Sequence, residues 1–145
     1  MDKYKFKLEK LLDIRKEKED LAKKEFMEAR REQAKIQNAL EELLEKQKKY
    51  KVSNAQETVI ERKIRNNYLT ALSGNISSVQ AALEKKNREV EVKRQEAAAR
   101  QIDRKTVEKL KEKGLEAFNK EQEHIEQNAN DEFALFGYMR NHEGR

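Results

Sequence analysis

The sequence predicts an all-α protein, an antiparallel two-helix coiled-coil hairpin with an extended C-terminal helix. Three observations predict it. Ala, Glu, Lys, Leu, Arg and Gln dominate the chain and Pro is absent, and those six are the strongest helix formers. Apolar residues recur at the alternating three- and four-residue spacing that puts one narrow helix face against a partner helix. Two such stripes follow one another, with polar turn residues between them.

Composition narrows the alternatives. With 42% of 145 residues charged and 36% hydrophobic, the chain lacks the apolar surface for an ordinary compact core. It also lacks the Pro, Gly and Ser richness of a disordered segment. The expectation is a single coiled-coil domain over residues 1–145. The formal charge of +5 comes from 33 basic and 28 acidic residues, interspersed except in one place. Residues 116–132 hold Glu116, Glu121, Glu123, Glu126, Asp131 and Glu132 against Lys120 alone. Mixed charge is what the solvated faces of a coiled coil look like, so no nucleic acid is expected as a partner. No run of about 18 apolar residues exists, and the start Met1-Asp2-Lys3-Tyr4-Lys5-Phe6-Lys7 has no apolar h-region. With Cys absent as well, the expected location is cytoplasmic, at most peripheral to a membrane.

Helix 1 is expected from about residue 3 to about 51. Stepping by four and three from Leu8 gives Leu12, Arg15, Glu19, Ala22, Phe26, Ala29, Gln33, Ile36, Leu40, Leu43, Gln47 and Tyr50. Nine of these thirteen positions, Leu8 included, are apolar, well above the chain average, so the stripe is real. At 1.5 Å per residue such a helix is roughly 70 Å long. Arg15 and Glu19 are polar seam positions of the kind that weaken packing and fix register.

The turn is placed at about 52–57. Ser53-Asn54-Ala55-Gln56 has capping-box form, with Ser53 as N-cap and Gln56 reaching back, and the first stripe loses phase there. At Gly74 the second stripe keeps phase, so the helix is expected to run through it. Helix 2 is expected over about 58–136, followed by a frayed tail at 137–145. Its stripe is Leu69, Leu72, Ile76, Val79, Leu83, Val90 and Ala97, continued less regularly by Ile102, Val107, Leu110, Leu115, Phe118 and Ile125.

This turn fixes a register. Tyr50 then faces about residue 57, paired positions sum to about 107, and Tyr4 lies opposite about Asp103. Everything from about Arg104 to Phe136 becomes overhang, which is marginal as a lone helix. Its end, Phe133-Ala134-Leu135-Phe136-Gly137-Tyr138-Met139, is the most apolar stretch of the chain and marks a binding site or fold-back packing.

Little in the sequence carries catalytic chemistry. His124 and His142 stand 18 apart without Cys, which does not make a zinc site. The four glycines are scattered and no phosphate-cradling loop exists. Two helices offer no concave pocket to desolvate a carboxylate pair, so no enzyme, cofactor or metal is expected. Basic stretches at 46–51 and 85–94 are interrupted by Glu84, Glu89 and Glu91 or flanked by acids, unlike a DNA-reading arm. Binding to other proteins remains.

The segment Phe6-x-Leu8-x-x-Leu11-Leu12-x-Ile14-Arg15-x-x-x-Glu19 resembles the opening of the FliJ family, small cytoplasmic components of the bacterial flagellar export apparatus. So do Asn67-Tyr68-Leu69-x-x-Leu72 with Ile76, then Asp103-Arg104-Lys105-x-x-Glu108-Lys109-Leu110, and the closing Glu126-Gln127…Asp131-Glu132-Phe133-Ala134. Each motif is weak alone; their order and spacing cover nearly the whole chain. The resemblance implies a hairpin similar to the central stalk of rotary ATPases. It also implies insertion of the paired termini into the export ATPase hexamer, binding to the cytoplasmic domain of the export gate, and cycling of late-substrate export chaperones at the inner face of the cell membrane.

Carried over residue by residue, gate contacts near the turn are Leu43, Tyr50, Tyr68, Leu72 and Val79. Contacts to the ATPase ring at the termini are Phe6, Arg104, Lys105, Lys109, Phe133 and Phe136. Leu43, Tyr50 and Leu72 also lie on the seams, where plain core packing accounts for them, whereas Tyr68 is off the seam. Solvated charge accounts equally for Arg104, Lys105 and Lys109. The alternatives are the stalk protein of a related virulence-type secretion system, or a structural or nucleic-acid-associated coiled coil.

Overall fold

The computed structural model describes residues 2–143. Two helices account for most of them: α1 (Glu9–Tyr50) and α2 (Val59–Glu143). They contribute to two compact units, one formed by Met1–Glu17 with Gln101–Arg145 and the other by Lys18–Arg100. No strand occurs among the described residues.

Helix α1 begins at Glu9 rather than at about residue 3, close to where its stripe starts at Leu8. Residues 2–6 are not helical, and the first turn is closed by Glu9 N–H donating to the Phe6 carbonyl at 3.3 Å and Leu12 N–H to Leu8 at 2.9 Å. Glu9 in the first turn, and Lys48 with Lys49 in the last, oppose the helix dipole at both ends.

The connection over 51–58 is built by side chains. Asn54 accepts from the Gln56 amide through Oδ1 at 3.2 Å, and its carbonyl accepts from Glu57 at 3.0 Å. A reciprocal capping box then starts α2: Glu61 N–H donates to Thr58 Oγ1 at 3.2 Å, and Thr58 N–H to Glu61 Oε2 at 3.3 Å. The cap is thus Thr58 with Glu61, not Ser53 with Gln56. Both quartets have the right form, but Glu61 brings a carboxylate to a helix N-terminus, where negative charge is favoured. Arg65 ties the connection back along α2, donating to the Val52 carbonyl at 3.3 Å and pairing with Glu57 at 3.2 Å.

That fold-back moves the register. In the Lys18–Arg100 unit, Glu25 meets Lys93, Glu32 meets Lys86, Gln33 meets Asn87, and Tyr50 meets Tyr68. In the other unit, Glu9 meets Lys111, Arg15 donates to the Asp103 carbonyl, and Tyr4 lies against Phe118. The pairing is antiparallel in each, and the facing numbers add to 118–122 rather than 107. The first two turns of α2 run beyond the end of α1, accompanied by the connection. Tyr4 consequently faces Phe118, not Asp103, and Arg104, Lys105 and Lys109 lie in the paired stretch rather than in an overhang.

Packing follows the seam. In the Lys18–Arg100 unit, Leu40, Leu72 and Ile76 form a buried cluster against which Leu43, Val79 and Leu83 pack. Burying each such side chain contributes about 1.5–3 kcal/mol. In the other unit Leu12 and Val107 occupy facing positions and are only 1% and 2% exposed. Strict three-and-four stepping along α2 from Leu83 lands on Lys86, Val90, Lys93, Ala97, Arg100, Arg104, Val107, Lys111, Gly114 and Phe118. Most of these are buried or half-buried. Ile102, Leu110, Leu115 and Ile125 are off this series or beyond the pairing, and are exposed. The stripe was irregular because basic residues occupy its seam. Glu19, 3% exposed, is the buried acid of the facing seam and pairs with Lys23 at 2.9 Å.

Two glycines of α2 have opposite roles. A Cβ at Gly74 would meet nothing, whereas one at Gly114 would run into the Tyr4 hydroxyl, with Tyr4 Cζ 3.0 Å away. Gly114 is the gap that lets the Tyr4 ring reach Phe118, 5.7 Å between centroids. Gly74→Ala is therefore expected to stabilise by up to about 1 kcal/mol through helix propensity. Gly114→Ala is expected to forfeit that gain and to displace Tyr4. Urea midpoints of the two variants, with tyrosine near-UV dichroism, check this; equal gains would sink the account.

The ion pairs set a pH dependence. Hydrogen bonds to Glu32 and Glu89 raise Lys86 above its ordinary 10.5, and the bond to Glu25 does the same for Lys93. Hydrogen bonds from Lys86 and Arg94 hold Glu89 and Glu91 below 4.5. A raised lysine contributes stability that is complete below 10.5 and lost as pH rises through its folded value. A lowered carboxylate contributes above 4.5 and fades as pH falls through its folded value. Thermal midpoints are expected to be flat between and to fall modestly on both sides. Lys86→Met with Lys93→Met should shrink the alkaline decline, and an unchanged decline would contradict this assignment.

Candidate functional site

Surfaces that another protein can grip are exposed apolar groups near ordered helix, and each unit carries its own. In the Lys18–Arg100 unit the register places Tyr50 and Tyr68 edge to face, with centroids 5.0 Å apart and planes at 70°. Such a pair adds about 0.5–1.5 kcal/mol beyond burial. Lys49 Nζ lies 5.7 Å from the Tyr50 centroid. The two rings, with Glu61, Ile64 and Arg65, line a shallow groove of about 380 Å³. Ile64 of that lining is exposed, as are Val52, Val59 and Ile60 in the neighbouring sequence.

The five turn-end residues of the sequence reading therefore separate. Tyr50 and Tyr68 are surface residues of one groove. Leu72 is 3% exposed inside the core cluster, and Leu43 and Val79 are packed on that cluster, where they support the helices that hold the rings. Sequence reasoning missed Val59, Ile60 and Ile64. The signal for them was three off-seam apolar residues, two inside the Thr58–Glu61 capping box and one just after it.

The terminal residues separate in the same way. Phe6 is half-buried in the non-helical segment ahead of α1. Arg104 is half-buried and paired with Glu108 four residues on, while Lys105 and Lys109 are exposed. Beyond Phe118 no α1 residue accompanies α2. There the helix continues through Gly137 to Glu143, past the expected end at 136, and of the expected tail only residues 144–145 lie outside the described residues. Phe133, at 83% exposure, and Phe136, at 66%, stand open with Ile125, Leu135, Tyr138 and Met139. Contacts along this part of the helix include His124 with Asn128 and the tilted rings of Tyr138 and His142, with centroids 4.2 Å apart.

Neither surface gathers groups for chemistry. No three His, Cys, Asp or Glu among the described residues are placed to hold a metal ion. No helix among them is long and apolar enough to cross a membrane. What both surfaces offer is aromatic and aliphatic contact area with charge beside it, the composition of protein–protein anchors.

A family model described as Flagellar FliJ protein matches residues 4–143. No curated protein and no solved structure matches the chain.

Proposed function

The chain belongs to the flagellar FliJ protein family, a component of the flagellar export apparatus, and from that premise we propose that it couples the export ATPase to the export gate. In this reading it promotes assembly and activity of the ATPase hexamer, binds the cytoplasmic domain of the gate, and escorts late-substrate export chaperones. It acts by contact rather than catalysis, at the inner face of the cell membrane beneath the flagellum. Flagellar assembly and motility depend on it.

One observation carries the proposal. Residues 119–143 of α2 have no α1 beside them and expose Phe133, Phe136 and their neighbours, which suits a segment that inserts into another assembly. The exposed Tyr50–Tyr68 groove supports a separate gate contact. Tyr68, joined by Ile64, is the gate-binding residue of choice, and Leu43, Leu72 and Val79 act behind it by holding the helices. Phe133 and Phe136 are the ring-contacting residues, with exposed Lys105 and Lys109 as secondary contacts; Phe6 and Arg104, both half-buried, offer the ring less surface.

Purified full-length chain is expected to raise ATP hydrolysis by its export ATPase. Deleting residues 120–145 is expected to remove the stimulation while leaving the helix pairing intact by circular dichroism. Stimulation by the truncated chain equal to that of the full chain would show that the terminal stretch is not the contact.

For the gate, Ile64→Asp with Tyr68→Ala is expected to weaken binding of its cytoplasmic domain about tenfold or more, as loss of an aromatic anchor does, with the melting temperature unchanged. Leu72→Ala should instead destabilise by about 2–5 kcal/mol. Calorimetric titration beside thermal melts separates the two, and undiminished binding by the double variant would remove the groove from the gate contact.

A further inference from the structure

The paired seam of α2 follows a rule. Wherever three-and-four stepping puts a lysine on the seam, an acid of α1 meets it: Lys86 with Glu32 at 2.5 Å, Lys93 with Glu25 at 3.2 Å, and Lys111 with Glu9 at 2.9 Å. Apolar seam residues alternate with these. Continued past Phe118, the same stepping lands on Glu121, Ile125, Asn128, Glu132, Leu135 and Met139. All six are exposed, and the sign of the seam charge has reversed.

We infer that this continued seam is a docking face for a basic amphipathic helix of another protein, one that presents Lys or Arg to Glu121 and Glu132 and apolar residues to Ile125, Leu135 and Met139. Charge complementarity identifies the occupant. Six acids lie between 116 and 132 against Lys120 alone, so a basic helix is attracted along the whole stretch. A second copy in the same stretch brings acids against acids. The seam lysines of the chain's own α2 are already engaged by Glu9, Glu25 and Glu32. Two seam carboxylates eleven residues apart also specify register, as polar seam positions do in coiled coils. The inference rests on the terminal stretch being a partner-binding element, and adds the chemistry of what binds it.

The test uses the full-length chain and two designed helical peptides labelled with a fluorophore. They are identical in their Leu positions and carry either Lys or Glu at the two positions facing Glu121 and Glu132. The Lys peptide is expected to bind at least about tenfold more tightly by anisotropy, with the difference shrinking as salt rises. Glu121→Lys with Glu132→Lys, both exposed, should invert the preference. Equal binding of the two peptides, or a preference that survives charge reversal, overturns the inference. So does sedimentation showing the chain self-associated through this stretch at the concentrations used. The readout does not involve the ATPase, so a failure of ATPase stimulation and a failure of this inference are separately visible.

Discussion

A seam between only two helices is narrow enough that most of its charges stay partly open to water, Glu19 being the buried exception. This constraint decides which residues face each other. Exposed ion pairs stabilise little, about 0.2–1 kcal/mol each, so Lys86–Glu32, Lys93–Glu25 and Lys111–Glu9 do not hold the helices together by themselves. Their weight is in what a wrong register would do. A pairing in which facing numbers sum to 107 would set Lys93 against Ile14 and Lys86 against Leu21. It would also leave Glu25 and Glu32 opposite Ala82 and Asn75. Half-buried ammonium groups without acids cost more than the pairs contribute. The apolar cluster of Leu40, Leu72 and Ile76 supplies the stabilisation, and the charges select the alignment in which it forms.

The α1 seam was legible because it is a periodic signal. Every step from Leu12 to Gln47 is buried or half-buried; only the first and last, Leu8 and Tyr50, are exposed. The register was not legible, because periodicity fixes a helix's face but not its shift along a partner. That shift came from the connection. Thr58 with Glu61 starts α2 at Val59, close to the expected 58. The connection then folds back beside the first two turns of α2, Arg65 holding Val52 and Glu57, so that Tyr50 meets Tyr68. The second half of the α2 seam was hidden for another reason. Apolarity alone was followed, and it led to Ile102, Leu110 and Leu115, which face solvent. Acids one residue off the α1 stripe, Glu9 and Glu25, at positions matched to lysines of the α2 series, were the signal that would have located Lys93 and Lys111.

The candidate surfaces show the same division. Seam membership marked Leu43 and Leu72 as packing residues as readily as contacts, and they pack. Tyr68 stood out by being off the seam, and its ring is part of the surface, supported edge to face by Tyr50. Gly114 looked like a scattered glycine. Its role needs a third dimension: a helix accepts about 1 kcal/mol of lost propensity so that the Tyr4 ring can cross it to Phe118. Nothing in the spacing of either residue connects position 4 with position 114.

The end of the pairing at Phe118, where Tyr4 ahead of α1 packs on the helix, matters for how the remainder of α2 works. A single helix of about 25 residues in water draws only on propensity and on neighbours one turn apart, such as His124 with Asn128. It has no buried face of its own. A partner that covers Ile125, Leu135 and Met139 therefore contributes burial that the isolated helix lacks, and stabilises helix and complex together. Such coupling makes affinity sensitive to helix propensity as well as to contacts. It also explains why acids suit this stretch: Glu121 and Glu132 keep an uncovered seam soluble and self-repelling, while remaining complementary to one sign of partner.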